Sequence, residues 1–88
     1  MEDSRRFGVE LADATVALMK KEGLGSDEAA LLAGQAIVRQ ADAMTAAGET
    51  SEAVTTWTQL VVIAYGERLD QRIKETEELV DLPLNKPQ

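Results

Sequence analysis

Sixteen carboxylates and nine basic side chains supply most of the chemistry open to this 88-residue chain, because it has no His and no Cys. Two carboxylate pairs have a spacing that could do work. Glu67/Asp70 and Glu75/Glu78 each stand at i,i+3, as neighbours on a helix surface. Such a pair could hold a cation weakly or act as acid and base. Arg68, Arg72 and Lys74 lie among them, so the pattern reads as a solvated, salt-bridged face. The spacing of a Ca²⁺ loop, acids around a central Gly, is absent. The expectation is no metal and no cofactor.

Nucleophilic catalysis would need an activated Ser, Thr or Lys with a base beside it. Ser4, Ser26 and Ser51 all sit where helix caps belong, and no His can serve them. Gly23-Leu24-Gly25-Ser26 precedes a helix and could cradle an anion. Asp27 and Glu28 follow directly and would repel one, so a helix stop followed by a cap is the simpler reading. The basic doublets, Arg5-Arg6 and Lys20-Lys21, lie near opposite ends of one helix, roughly 20 Å apart at 1.5 Å per residue. They read as solvated helix ends. An enzyme is not expected.

Composition narrows the field further. The net charge is −7, with the bases interleaved among the acids. Direct binding to a phosphate backbone needs clustered Lys and Arg and is not expected. No run approaches the ~20 apolar residues that cross a bilayer. The acidic Met1-Glu2-Asp3 start leads into no apolar signal core. With no cysteine, the default home is the cytoplasm and the expectation is no membrane.

Those groups must be positioned by helices. The reading is all-α: one domain over residues 1–82, built as an antiparallel three-helix bundle (four helices if the last breaks at Gly66), then an extended tail over 83–88. The first helix spans about Ser4 to Glu22. Asp3 or Ser4 caps it, and Gly23-Leu24-Gly25 ends it. It carries two apolar stripes, Phe7/Leu11/Ala14/Leu18 and Val9/Ala12/Val16/Met19. Two stripes suggest a helix gripped on both sides. The second helix spans about Asp27 to Ala47, with Ser26 as N-cap. Its seam is Ala30, Gly34, Ile37, Ala41 and Met44. A mid-helix Gly costs about 1 kcal/mol relative to Ala; a tight helix crossing at Gly34 would offset that, and an uncompensated Gly is the alternative.

Gly48-Glu49 breaks the chain again, and Thr50 or Ser51 caps a third helix reaching Val80. Its apolar face changes direction. Ala53, Val54, Trp57, Leu60, Val61 and Ala64 lie on one side; Val62, Tyr65, Leu69, Ile73 and Val80 lie on another. One helix with two buried faces serves two neighbours. Gly66 at the changeover could mark a kink. The β-branched run Val61-Val62-Ile63 makes Leu60–Tyr65 a rival strand, but the helical periodicity on both sides argues against it. Pro83 disfavours helix at Leu82, so the tail leaves the helix there.

The segment Gly48-Glu49-Thr50-Ser51-Glu52-Ala53-Val54-Thr55-Thr56-Trp57 resembles the turn and second helix of a tetratricopeptide unit. A Gly precedes a polar turn, then an acid–Ala pair, then an aromatic four residues after the Ala. Ala41 and Ala47 fall on the preceding helix. The likeness covers about 30 residues and a single unit, whereas arrays need three or more. It implies a helical hairpin with Trp57 as its anchor. The stretch Ala41 to Leu69 is also similar to small uncharacterised bacterial and phage helical proteins, which implies no function.

From Ala29 to Gly66, only Arg39, Asp42, Glu49 and Glu52 are charged. The chain has one Phe, one Trp and one Tyr, so its own core is thin. Small helical proteins with this deficit make it up by association, here a homo-oligomer, most simply a dimer, through helices 1 and 3. The expected function is a non-enzymatic protein-interaction module, a small acidic regulator or inhibitor of the kind phages encode. The expected contacts are Val62, Tyr65, Leu69, Ile73 and Val80, with Glu75, Glu77, Glu78 and Asp81 alongside. The alternatives are a nucleic-acid mimic that occupies a DNA- or RNA-binding groove on its target, or a small-ligand-binding oligomer. Mimicry needs carboxylates in rows with few interrupting bases.

Overall fold

The computed structural model describes the backbone of residues 2–85 and the side chains of residues 3–75. It is all-helical: α1 is Glu2–Glu22, α2 is Ser26–Ala46 and α3 is Ser51–Asn85. α1 and α2 each stop where glycine allows it. Gly23 takes φ 69° and donates its N–H to Met19 O at 2.9 Å. Gly48 takes φ 97°, donates to Thr45 O at 3.1 Å, and is followed by Glu49 N–H bonding Met44 O at 3.0 Å. That double closure satisfies carbonyls left open at the end of α2.

The helix starts depart from expectation in detail. α1 begins at Glu2, so Ser4 is not a cap; it lies inside the helix and is 1% exposed. Gly25, not Ser26, holds the N-cap position of α2, and its N–H donates to Glu28 Oε1 at 3.3 Å. Thr50 caps α3: its Oγ1 accepts the Ala53 N–H at 3.1 Å. Leu60–Tyr65 is helical, and α3 runs through Gly66 without a break in assignment. The α3 backbone continues past Pro83 to Asn85, where the sequence leads one to expect an extended tail over 83–88. Residues 86–88 lie outside the described residues.

Most of the packing is between α1 and α3. They run parallel: Phe7 meets Trp57, Gly8 meets Val61 to Tyr65, and Asp13 meets Arg68 and Arg72. The two short loops then require α2 to run back between them, giving an up–down–up arrangement. The hairpin implied by the tetratricopeptide likeness, α2 against α3, is the lesser contact.

The two stripes of α1 are the shoulders of one face, not two faces. Phe7, Leu11 and Leu18 are half-buried on one shoulder; Ala12 and Val16 are buried on the other, with Val9 half-buried beside them. Between the shoulders lie Ser4, Gly8 and Thr15, all buried. A Cβ on Gly8 would come within 2.7 Å of Val61 O and 2.9 Å of Ala64 Cβ. This strip of small residues lets two backbones nearly touch. Phe7 and Trp57 close one side edge-to-face, with centroids 5.2 Å apart.

Among the described residues, the buried apolar ones are Ala12, Ala29, Ala33 and Ala64, with Val16, Ile37 and Val61. More than half of them are alanine, which removes little area from water.

Candidate interaction surface

Among the described residues α1 presents no large exposed apolar side chain: Ala12 and Val16 are buried, and Phe7, Val9, Leu11, Leu18 and Met19 are half-buried. α3 differs. Val61 and Ala64 are buried and Trp57, Leu60 and Tyr65 half-buried, while Val62 and Ile63 stand 50% and 56% exposed. Lower on the same helix Leu69 is half-buried and Ile73 is 41% exposed. Val62, Gly66, Leu69 and Ile73 repeat at 4-3-4 spacing, so they form one row along α3. Nothing lies within 4 Å of a Cβ built on Gly66. In α1, Gly8 is required by its neighbour; in α3, nothing in the same chain asks for Gly66.

Of the expected contacts, Val62, Leu69 and Ile73 share this row. Tyr65 does not. Its side chain turns to α1, where the hydroxyl donates to Thr15 Oγ1 at 3.4 Å and Thr15 in turn donates to Leu11 O at 2.7 Å. An aromatic ring at the edge of an α1–α3 contact this close gains more by bridging the helices than by facing water. Glu75 is exposed, with Oε1 4.0 Å from Arg72 Nε. The side chains of Glu77, Glu78, Val80 and Asp81 lie outside the described residues.

A second apolar face lies on α2. Ala29, Ala33 and Ile37 are buried, whereas Ala30 and Gly34, assigned by the sequence reading to the inward seam, are exposed. They line an open groove of about 500 Å³ with Leu31, Gln35, Val38, Arg39 and Asp42. Leu31 is 65% and Val38 58% exposed. Leu31, Gly34 and Val38 also stand at 3-4 intervals, a second row beside the expected seam. The expected seam holds at Ile37, which is buried, and at Ala41 and Met44, which are half-buried; in the first two turns the inward residues are Ala29 and Ala33 instead of Ala30 and Gly34.

The strongest charge cluster is one that sequence reading missed. Asp13 of α1 accepts from Arg68 Nε at 2.9 Å and Arg68 Nη2 at 3.4 Å, and from Arg72 Nη1 at 2.7 Å. Arg68 also donates to Gln71 Oε1 at 3.2 Å. The hydrogen bond from Arg68 is the largest influence holding the Asp13 carboxyl below its ordinary value; partial burial opposes it and Arg72 reinforces it. The same bond raises Arg68 above its ordinary value. With its charge so matched, Asp13 is a poor proton acceptor and serves as a clamp between α1 and α3.

Of the two carboxylate pairs, Glu67/Asp70 falls within the described side chains and Glu75/Glu78 does not. Asp70 pairs with Lys74 at 3.3 Å. Among the described residues, no group of three or more acidic side chains could hold a metal ion. No helix of the described residues is long and apolar enough to cross a membrane. No family model matches the chain, and neither a curated protein nor a solved structure matches it, so no family is shown.

Proposed function

We propose that this protein is a non-enzymatic protein-interaction module: a small acidic regulator or inhibitor that works by covering a surface of another protein. The observation that carries this reading is the row Val62–Gly66–Leu69–Ile73 on α3, in which Val62 and Ile73 are exposed and Leu69 half-buried. Fully burying an exposed aliphatic side chain contributes about 1.5–3 kcal/mol; Val62 and Ile73, each about half exposed, retain part of that gain for a partner. A net charge of −7 supports approach to a basic partner through long-range attraction.

Nucleic-acid mimicry draws less support. Asp13 is neutralised by two arginines and Asp70 by Lys74, so these carboxylates do not form a free row.

The reading is tested by affinity capture from the native host, with Leu69→Asp/Ile73→Asp as the comparison. A partner retained by the parent chain and released by the double variant supports it, provided the helical circular dichroism of the variant is unchanged. A partner held equally by both chains would place the binding surface elsewhere.

A further inference from the structure

We infer that the α3 row is occupied by a second copy of this chain, lying antiparallel across a two-fold axis between Glu67 and Arg68. The inference rests on the reading of that row as a binding surface and names its occupant.

Three observations point to a copy in this orientation. The first is size complementarity. The row reads large, absent, large, large: Val62, Gly66, Leu69, Ile73. A two-fold contact is self-complementary, so each residue must suit the one it meets. With the axis between Glu67 and Arg68, Val62 meets Ile73 of the second copy. Gly66 meets Leu69 of the second copy, and its open face is the gap that Leu69 needs. In a parallel, in-register pair Gly66 would meet Gly66 and leave the gap unfilled.

The second is charge. Val54 to Gly66 carries no charged residue, whereas Glu67 to Asp81 carries six acids and three bases. The antiparallel pair lays the charged half of each α3 on the neutral half of the other. A parallel pair sets two acid-rich halves side by side, where like charges repel. α3 spans Ser51–Asn85, so its midpoint falls at Arg68. The axis that aligns the row therefore overlaps nearly the whole helix.

The third is area. The chain exposes 6372 Å². A compact monomer of 9.5 kDa exposes about 5,000 Å². The excess over the whole surface is roughly 1,300 Å², against the ~800 Å² each partner contributes to an ordinary stable interface.

The chain has no cysteine, so engineered ones report alone. Val62→Cys and Ile73→Cys are made as separate proteins and oxidised singly and mixed. The antiparallel pair predicts a 62–73 disulfide in the mixture. It predicts little in either protein alone, because like positions stand about 16 Å apart along the axis. Homotypic crosslinks with none in the mixture would overturn it in favour of a parallel pair. Sedimentation equilibrium should give a dimer at micromolar concentration, and a monomer at about 100 μM would overturn the inference. Gly66→Leu adds a side chain into open space within the chain but into the seat of Leu69 in the dimer. It should leave the monomer folded and weaken association about tenfold or more; undiminished association would overturn the inference. Gly34→Leu, on α2, is the control expected to leave association unchanged. A monomer whose capture of a host protein is still abolished by Leu69→Asp/Ile73→Asp would remove the second copy and leave the interaction-module reading standing.

Discussion

Gly8 and Gly34 are both mid-helix glycines, yet they should respond oppositely to the same substitution. A Cβ on Gly8 meets backbone of α3 at 2.7–2.9 Å. Gly8→Ala therefore forces α1 and α3 apart and should cost about 1–3 kcal/mol despite alanine's better helix propensity. A Cβ on Gly34 meets nothing, so Gly34→Ala should stabilise by roughly 0.5–1 kcal/mol. Urea midpoints of the two variants check both signs. Asp13 gives a second residue-scale prediction. Its folded-state pKa is lowered, so its contribution is present above the unfolded value of about 3.9 and is lost as pH falls through the folded one. The parent chain should lose stability on acidification below about pH 4–5 more steeply than Asp13→Asn. Equal slopes in denaturation curves across that range would mean that Asp13 does not supply the dependence. Neither residue was legible in the sequence. Gly8 lies between two apolar stripes that look like separate faces, and Asp13 finds its arginines more than 50 positions along the chain.

At the level of elements the sequence was more open. Gly23 and Gly48 mark the helix stops because only glycine takes positive φ without strain, and both do. The three helices follow from those stops and from 3.6-residue periodicity. Which faces meet was less legible, because alanine fits an inward and an outward position almost equally. On α2 that ambiguity moved the first two turns of the seam by one residue, from Ala29 and Ala33 to Ala30 and Gly34. On α3 the larger Val62, Leu69 and Ile73 set the outer row more firmly. The α3 start offers a test of local design. Thr50 Oγ1 satisfies the Ala53 N–H, so Thr50→Ala should cost about 0.5–2 kcal/mol of stability. The loss should appear in denaturant unfolding, whereas Ser51→Ala, at the first helical position, should cost little.

The whole chain is elongated, 60 × 24 × 15 Å, with a radius of gyration of 15.8 Å. A compact 88-residue domain would have about 12 Å. A slab that thin shelters little, which is why its buried core is mostly alanine and why Val62, Ile63, Leu31 and Val38 stay exposed. If a second copy supplies the missing cover, folding and association are linked. Any partner that binds only the folded state raises the apparent stability by mass action. The thermal midpoint of the parent chain should then rise with protein concentration, and calorimetry over a hundredfold range reads the slope. Leu69→Asp/Ile73→Asp should unfold at a midpoint independent of concentration, because it has lost the linked equilibrium. Leu31→Asp/Val38→Asp should keep the slope of the parent, since the α2 groove lies outside the proposed contact. A flat midpoint in the parent would mean that this slab is stable as it stands, and that its exposed rows await a different protein.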